Sequence, residues 1–110
     1  MAKTLDFNTR KKSYMKIVLS DPDKTTVNVG TPTKSLLTEL ALVMADKASG
    51  GVPNEERMSN LYEFCARLMS RNRENKVITK DLIESCLDFD DLIYFMDCYT
   101  DFMNDSVPKN

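Results

Sequence analysis

The spacing of apolar residues changes once along this chain of 110 residues, near Gly30. Before that point Met15, Ile17 and Leu19, and then Val27 and Val29, are two residues apart, and after it apolar residues recur at every third or fourth position. Alternation is the period of a half-buried strand, and three-to-four spacing is that of an amphipathic helix. The sequence therefore predicts a mainly α fold, with an N-terminal β-hairpin followed by a small bundle of about four helices.

The hairpin is predicted from two short segments and the turn that separates them. Residues 14–19 are apolar and β-branched, and residues 25–29 alternate. Between them Pro22 presets φ for a turn, and Asp21 and Asp23 can accept hydrogen bonds from their own backbone. A lone hairpin is only marginally stable in water, so it must pack on the helices or pair with a strand of a neighbour.

Capping residues predict where the helices begin. The predicted N-caps are Thr31, Asn54, Thr79 and Asp88. At the first of them Pro32 would occupy the first helical position, where its missing N–H is tolerated, and Gly50-Gly51 would end that helix. The chain is divided accordingly into a basic N-terminal arm (residues 1–13), a hairpin (14–30), a helical domain (31–104) and a flexible tail (105–110).

Residue types needed for common catalytic and metal sites are missing. There is no histidine, which excludes histidine-dependent catalysis and most zinc sites. Cys65, Cys86 and Cys98 form no CxxC pair and fall on apolar helical stripes, so we expect buried free thiols in a reducing compartment. Asp90 and Asp91 are adjacent and point about 100° apart on a helix. We predict no enzymatic activity, no metal ligands and no cofactor.

The charges are unevenly distributed along the chain. The net charge of −2 argues against a nucleic-acid-binding protein that relies on phosphate contacts. Residues 3–16 contain five cations and one acid, whereas residues 81–105 contain eight acids and no base. Such charges commonly lie on solvated faces; the alternative is that the basic arm contacts an acidic helix of its own chain or of a neighbouring copy, which would make a homo-oligomer.

Apolar segments long enough for a membrane are missing as well. No apolar run approaches the ~20 residues of a spanning helix, and the polar beginning is unlike a signal peptide. We therefore expect a soluble protein that stays inside the cell and has no membrane partner.

The class of function that remains is binding to other proteins through the protein surface. Six of the seven methionines fall on apolar faces, and methionine suits an adaptable binding groove as well as a core. The last helix carries aromatic residues on several sides, which in a small domain indicates that one side contacts a partner. The predicted partner-binding residues are Leu5, Phe7, Tyr94, Phe95, Tyr99 and Phe102.

Two segments, TLDFNTRKKSYMKIVLSDPDKTTVNVGTPTKSLLTEL and ENKVITKDLIESCLDFDDLIYFMDCYTDFM, carry a resemblance to a known family. They resemble the small tail assembly proteins of tailed phages and prophages of Gram-positive bacteria. In that pattern a basic arm leads into a strand, a D-x-D-K-T turn, a second strand and a TPTK helix start, and an acidic aromatic helix ends the domain. The matching positions are Leu5, Phe7, Tyr14, Asp21, Asp23, Lys24, Thr25, Pro32, Leu82 and Leu92.

The resemblance implies a tail assembly chaperone. Such a protein binds and solubilises the long helical tape-measure protein in the host bacterial cytoplasm, recruits tail-tube subunits, and is absent from the mature virion. The family has no catalytic residues to carry over. Two alternatives stay open: a structural tail component retained in the virion, which would use the hairpin for strand addition, and a small phage regulator that binds a host protein or nucleic acid.

Overall fold

The structure is a computed structural model that describes residues 3–6, 12–48 and 54–106. Its elements are β1 (Met15–Val18), β2 (Thr26–Val29), α1 (Lys34–Ala48), α2 (Glu55–Met69), α3 (Lys80–Cys86) and α4 (Phe89–Ser106). The predicted fold class, an N-terminal hairpin followed by a small bundle of helices, is confirmed. The predicted helix end at Gly50-Gly51 lies outside the described residues, and α4 continues two residues beyond the predicted domain boundary at 104.

The hairpin is antiparallel, with Ile17 opposite Val27. Asp21 stabilises its turn as predicted: Oδ1 accepts a hydrogen bond from the backbone N–H of Thr25 at 2.8 Å, and Oδ2 accepts one from the Thr25 hydroxyl. Lys24 completes the turn in the left-handed region, with φ of 49°. The short side chain of Asp21 thus satisfies the backbone where the ladder stops.

A segment that follows α2 flanks β2 on the side away from β1. The N–H of Gly30 donates to the carbonyl oxygen of Arg71 at 2.8 Å, and the N–H of Arg73 donates to that of Asn28 at 2.9 Å. The hairpin therefore does not stand alone, because β2 lies between β1 and this segment. Among the described residues β1 pairs only with β2, so its outer edge is open.

The buried side chain of Asn72 fixes the course of that segment. Its Nδ2 donates to the carbonyl oxygens of Met69 and Lys76, and its Oδ1 accepts from the Lys76 N–H at 2.8 Å. Between this segment and the next helix, Ile78 is buried in the core and Val77 is 80% exposed.

Three of the four predicted caps are confirmed. Asn54, Thr79 and Asp88 each accept a hydrogen bond through a side-chain oxygen from the backbone N–H three residues later. At the start of α4 the bond is reciprocated, because the carboxylate of Asp91 accepts from the N–H of Asp88 at 3.0 Å. Two otherwise unpaired donors are satisfied in this way, as in a capping box.

The predicted start of α1 is wrong. Thr33, and not Thr31, is positioned as the cap: its hydroxyl lies 3.3 Å from the N–H of Leu36, and the helix begins at Lys34. The carbonyl oxygen of Thr31 accepts a hydrogen bond from Nε of Arg71 at 3.0 Å. This contact continues the pairing along β2 and delays the start of the helix.

The core lies between α2, α4 and one face of the hairpin. Its buried apolar residues are Leu19, Val27, Val29, Leu40, Leu61, Phe64, Cys65, Ala66, Leu68, Met69, Ile78, Ile83, Leu92, Phe95, Met96 and Tyr99. Of the six methionines predicted on apolar faces, Met69 and Met96 are buried and the others are half-buried. Met15, Met44 and Met103 pack against the core that contains Met69 and Met96. The expectation of buried thiols holds fully only for Cys65, because Cys86 and Cys98 are half-buried. Within the described residues no helix is long and apolar enough to cross a membrane.

Candidate functional site

The aromatic residues of α4 do not form the predicted partner-binding face. Phe95 is 7% exposed and Tyr99 is fully buried, so a partner-binding role for these two is corrected to a core role. Spacings of four and three place Phe95, Tyr99 and Phe102 on one side of the helix, with ring centroids 5.6 Å and 5.9 Å apart. Phe102 is half-buried against this core. Only Tyr94, 73% exposed, extends from the helix toward solvent.

The two predicted contact residues of the N-terminal arm have different outcomes. Leu5 is 74% exposed, so it is accessible to a partner as expected. Phe7 lies outside the described residues. The partner-binding roles of Leu5 and Tyr94 stay predictions, because exposure shows access and not a contact.

An exposed apolar surface that the sequence did not predict lies on α1. Leu37 is 48% and Leu42 is 66% exposed. At 100° per residue, Leu37, Ala41, Ala45 and Leu42 lie about 60° to 200° from the buried Leu40, in a sector that they share with the polar Lys34 and Thr38. The four apolar side chains are exposed, and we call them the α1 apolar face.

The inward side of α1 is only partly buried. Leu40 is its one fully buried side chain among the described residues, and Leu36, Val43 and Met44 pack half-buried against the core. These four residues form an apolar stripe about 100° wide, the usual width for a helix that packs on a core. Leu37 and Leu42 lie outside the stripe and are exposed, so α1 has more apolar surface than its own domain covers.

An ion pair holds α1 to α2. The guanidinium of Arg67 donates through both terminal nitrogens to the two carboxylate oxygens of Glu39. These hydrogen bonds lower the pKa of Glu39 and raise that of Arg67. The guanidinium carbon also lies 5.7 Å from the centre of the Phe64 ring. Because both charged side chains are more than a third exposed, water screens their attraction and the pair contributes little to the docking of α1.

The sequence carries a signal that points to the α1 apolar face. Leu42 lies opposite Leu40 on the helical wheel, so α1 carries a large apolar side chain on the side away from its core. The same reasoning was applied to α4, where tertiary packing covers most of the aromatic residues. The spacing of apolar residues alone does not show which of the two helices is covered by the rest of the domain.

The described residues contain no group of three or more cysteine or acidic side chains that could hold a metal ion. Burial raises the pKa of Cys65 to about 12, so this thiol is protonated and inaccessible, unlike a nucleophile.

Comparisons with models of protein families, with curated proteins and with solved structures gave no match. The resemblance to phage tail assembly proteins therefore stays a prediction.

Proposed function

We propose that this protein is a phage tail assembly chaperone, and that the α1 apolar face binds apolar helical segments of the tape-measure protein. The observation that carries the proposal is the exposure of Leu37 and Leu42 on a helix whose inward side buries a single residue fully. The resemblance of the first forty residues and of the last two helices to tail assembly proteins supports the choice of partner.

The α1 apolar face has a shape suited to a partner helix. Two leucines flank Ala41 and Ala45, and small residues between larger ones allow the backbones of two helices to approach closely. Helix-in-groove recognition needs apolar side chains at matching intervals and little specific chemistry. A long helical tape-measure protein with repeated apolar stripes can therefore bind many copies in the same way.

The small free energy of this contact favours reversible binding. Leu37 and Leu42 are 48% and 66% exposed, so covering them contributes roughly 2–3 kcal/mol before the cost of association is subtracted. A single copy would bind in the millimolar range or more weakly, since a millimolar Kd corresponds to about 4 kcal/mol. Many copies would keep a long chain covered, and each could leave when the tail tube forms.

The protein would also recruit tail-tube subunits. Recruitment of tail-tube subunits would use a surface other than α1, and Tyr94 and Leu5 are the exposed predicted contacts for it. The protein would act in the host bacterial cytoplasm and be absent from the mature virion.

The proposal is tested by co-expression with the tape-measure protein encoded downstream of it. We expect a larger soluble fraction of the tape-measure protein and co-purification of the two. An unchanged soluble fraction with no co-purification would contradict the chaperone function.

A structural tail component is the second candidate, because β1 has an open edge. The N–H of Leu19 donates to Thr25 across the hairpin, so by alternation the backbone groups of Lys16 and Val18 point away from β2. A strand of a neighbouring tail protein could pair there. Mass spectrometry of purified virions separates the two functions: a structural component would be present, whereas a chaperone would be absent.

A further inference from the structure

A polar cleft of about 530 Å³ lies where the two ends of the hairpin meet the turn after α2. The residues that line it include three cations, Lys12, Arg71 and Arg73, and no acid. The cleft is therefore positively charged in a chain whose net charge is −2. Such a local excess attracts negatively charged partners.

The two arginines of the cleft are held in place by neutral groups. Nε of Arg71 donates to the carbonyl oxygen of Thr31 at 3.0 Å, which uses one of the five N–H donors of the guanidinium. The guanidinium carbon of Arg73 lies 5.5 Å from the centre of the Tyr14 ring. Glu74 approaches Arg73 at 3.7 Å, but both its carboxylate oxygens already accept hydrogen bonds from the hairpin. The cleft thus keeps its capacity to bind further carboxylates.

The opposite charge lies on the outer side of α4. Asp90, Tyr94, Asp97 and Asp101 follow one another at intervals of four, three and four residues, which places them on one face, and all four are exposed. We call these residues the acidic stripe. The sequence of α4 itself contains no lysine or arginine.

One chain cannot bring its own acidic stripe into its own cleft. The Tyr99 hydroxyl donates to the carbonyl oxygen of Gly30, which lines the cleft, so the buried side of α4 faces this region. The stripe lies about 140–180° around the helix from Tyr99. The two charged surfaces are therefore on opposite sides of α4 and can meet only between different molecules.

We propose that the basic cleft binds the acidic stripe of a second copy of this chain. Three cations then face three carboxylates, and the exposed Tyr94 ring approaches a cleft in which an arginine already stacks on Tyr14. Because two different surfaces meet, the contact is heterologous and leads to rings or open chains of copies. It goes beyond the proposed function and does not depend on α1, although a head-to-tail row would arrange chaperones along an extended partner.

The first test is sedimentation velocity of the full chain over a concentration series at low ionic strength. We expect oligomers larger than dimers, which dissociate as salt is added because exposed charges are screened. A chain that stays monomeric at every concentration, or that stops at a dimer, would overturn the proposal.

Neutralising variants identify the surfaces. Lys12→Gln/Arg73→Gln changes the cleft and Asp97→Asn/Asp101→Asn changes the stripe, and each should lower the association constant about tenfold, the loss expected for two exposed ion pairs. At a concentration where each variant alone is monomeric, a mixture should form a one-to-one dimer and nothing larger, because each variant contributes one intact surface.

Two controls complete the design. Glu55→Gln/Glu56→Gln makes the same charge change on an exposed part of α2 and should leave self-association unchanged. Inorganic phosphate is the probe for a small-anion site. Phosphate that binds a monomeric wild-type chain, and no longer binds the cleft variant, would assign the cleft to small anions and reject the contact between copies.

Discussion

The hydroxyl of Tyr99 donates a hydrogen bond to the carbonyl oxygen of Gly30, with 2.9 Å between the two oxygens. The bond is fully buried and connects the last helix to the end of β2. Burial raises the pKa of Tyr99 to about 12, so the hydroxyl stays protonated and remains a donor at neutral pH.

Removal of this hydroxyl tests how firmly α4 is attached to the hairpin. Tyr99→Phe keeps the ring but leaves the Gly30 carbonyl without its partner, and we expect a loss of about 1–3 kcal/mol in the free energy of unfolding. Urea denaturation with an unchanged m-value measures it. Tyr94→Phe is the matched control and should have no effect, since Tyr94 is 73% exposed. Equal effects of the two substitutions would show that the buried bond contributes nothing.

Phe95 should behave as a core residue. Phe95→Ala removes a side chain that is 7% exposed and packs against Tyr99, and such truncations cost about 3–5 kcal/mol. Thermal unfolding followed by circular dichroism measures the change. A variant with wild-type stability but weaker partner binding would restore the original expectation that this ring contacts a partner.

Stability should depend on pH through Asp21. Hydrogen bonds from the Thr25 hydroxyl and N–H lower its pKa below the ordinary value of 3.8. Its stabilising contribution is therefore present above 3.8 and lost as the pH falls through the lower folded-state pKa. The free energy of unfolding of the wild type should exceed that of Asp21→Asn at neutral pH, and this difference should disappear as the pH falls through the acidic range. Urea denaturation at several pH values measures it. A constant difference from neutral pH down to strong acid would refute the role of the charge.

The three thiols should differ in reactivity. Cys65 is fully buried with a pKa raised to about 12, whereas Cys86 and Cys98 are half-buried. Under native conditions a maleimide should modify Cys98 and Cys86 first, and Cys65 only after denaturant is added. Peptide mass spectrometry over time gives the order. Early modification of Cys65 would mean that α2 and α4 separate readily.

Local features were predictable from the sequence. Asn54, Thr79 and Asp88 cap their helices through backbone groups three residues away, and Asp21 closes its turn through Thr25. These interactions depend on a few neighbouring residues, so residue type and order suffice to predict them. The start of α1 was misplaced because a distant residue, Arg71, holds Thr31 in an extended segment.

The assignment of apolar faces was not predictable in the same way. Both α1 and α4 have apolar residues around most of their circumference, and only tertiary packing determines which side chains are covered. Tyr99 is buried because its hydroxyl reaches Gly30, whereas Leu42 is exposed because no described element packs on that side of α1. The α1 apolar face, where we propose that a partner binds, is therefore on a different helix from the one that the sequence predicted.

Binding of tape-measure segments to α1 variants tests the central claim most directly. Purified wild-type chain is titrated with a helical tape-measure segment in parallel with Leu37→Gln/Leu42→Gln, which preserves helix propensity, and with Val77→Gln, an exposed apolar residue outside α1. We expect the double variant to fold as the wild type does but to lose at least about tenfold in affinity, and Val77→Gln to bind normally. Undiminished binding by the folded double variant would contradict the account.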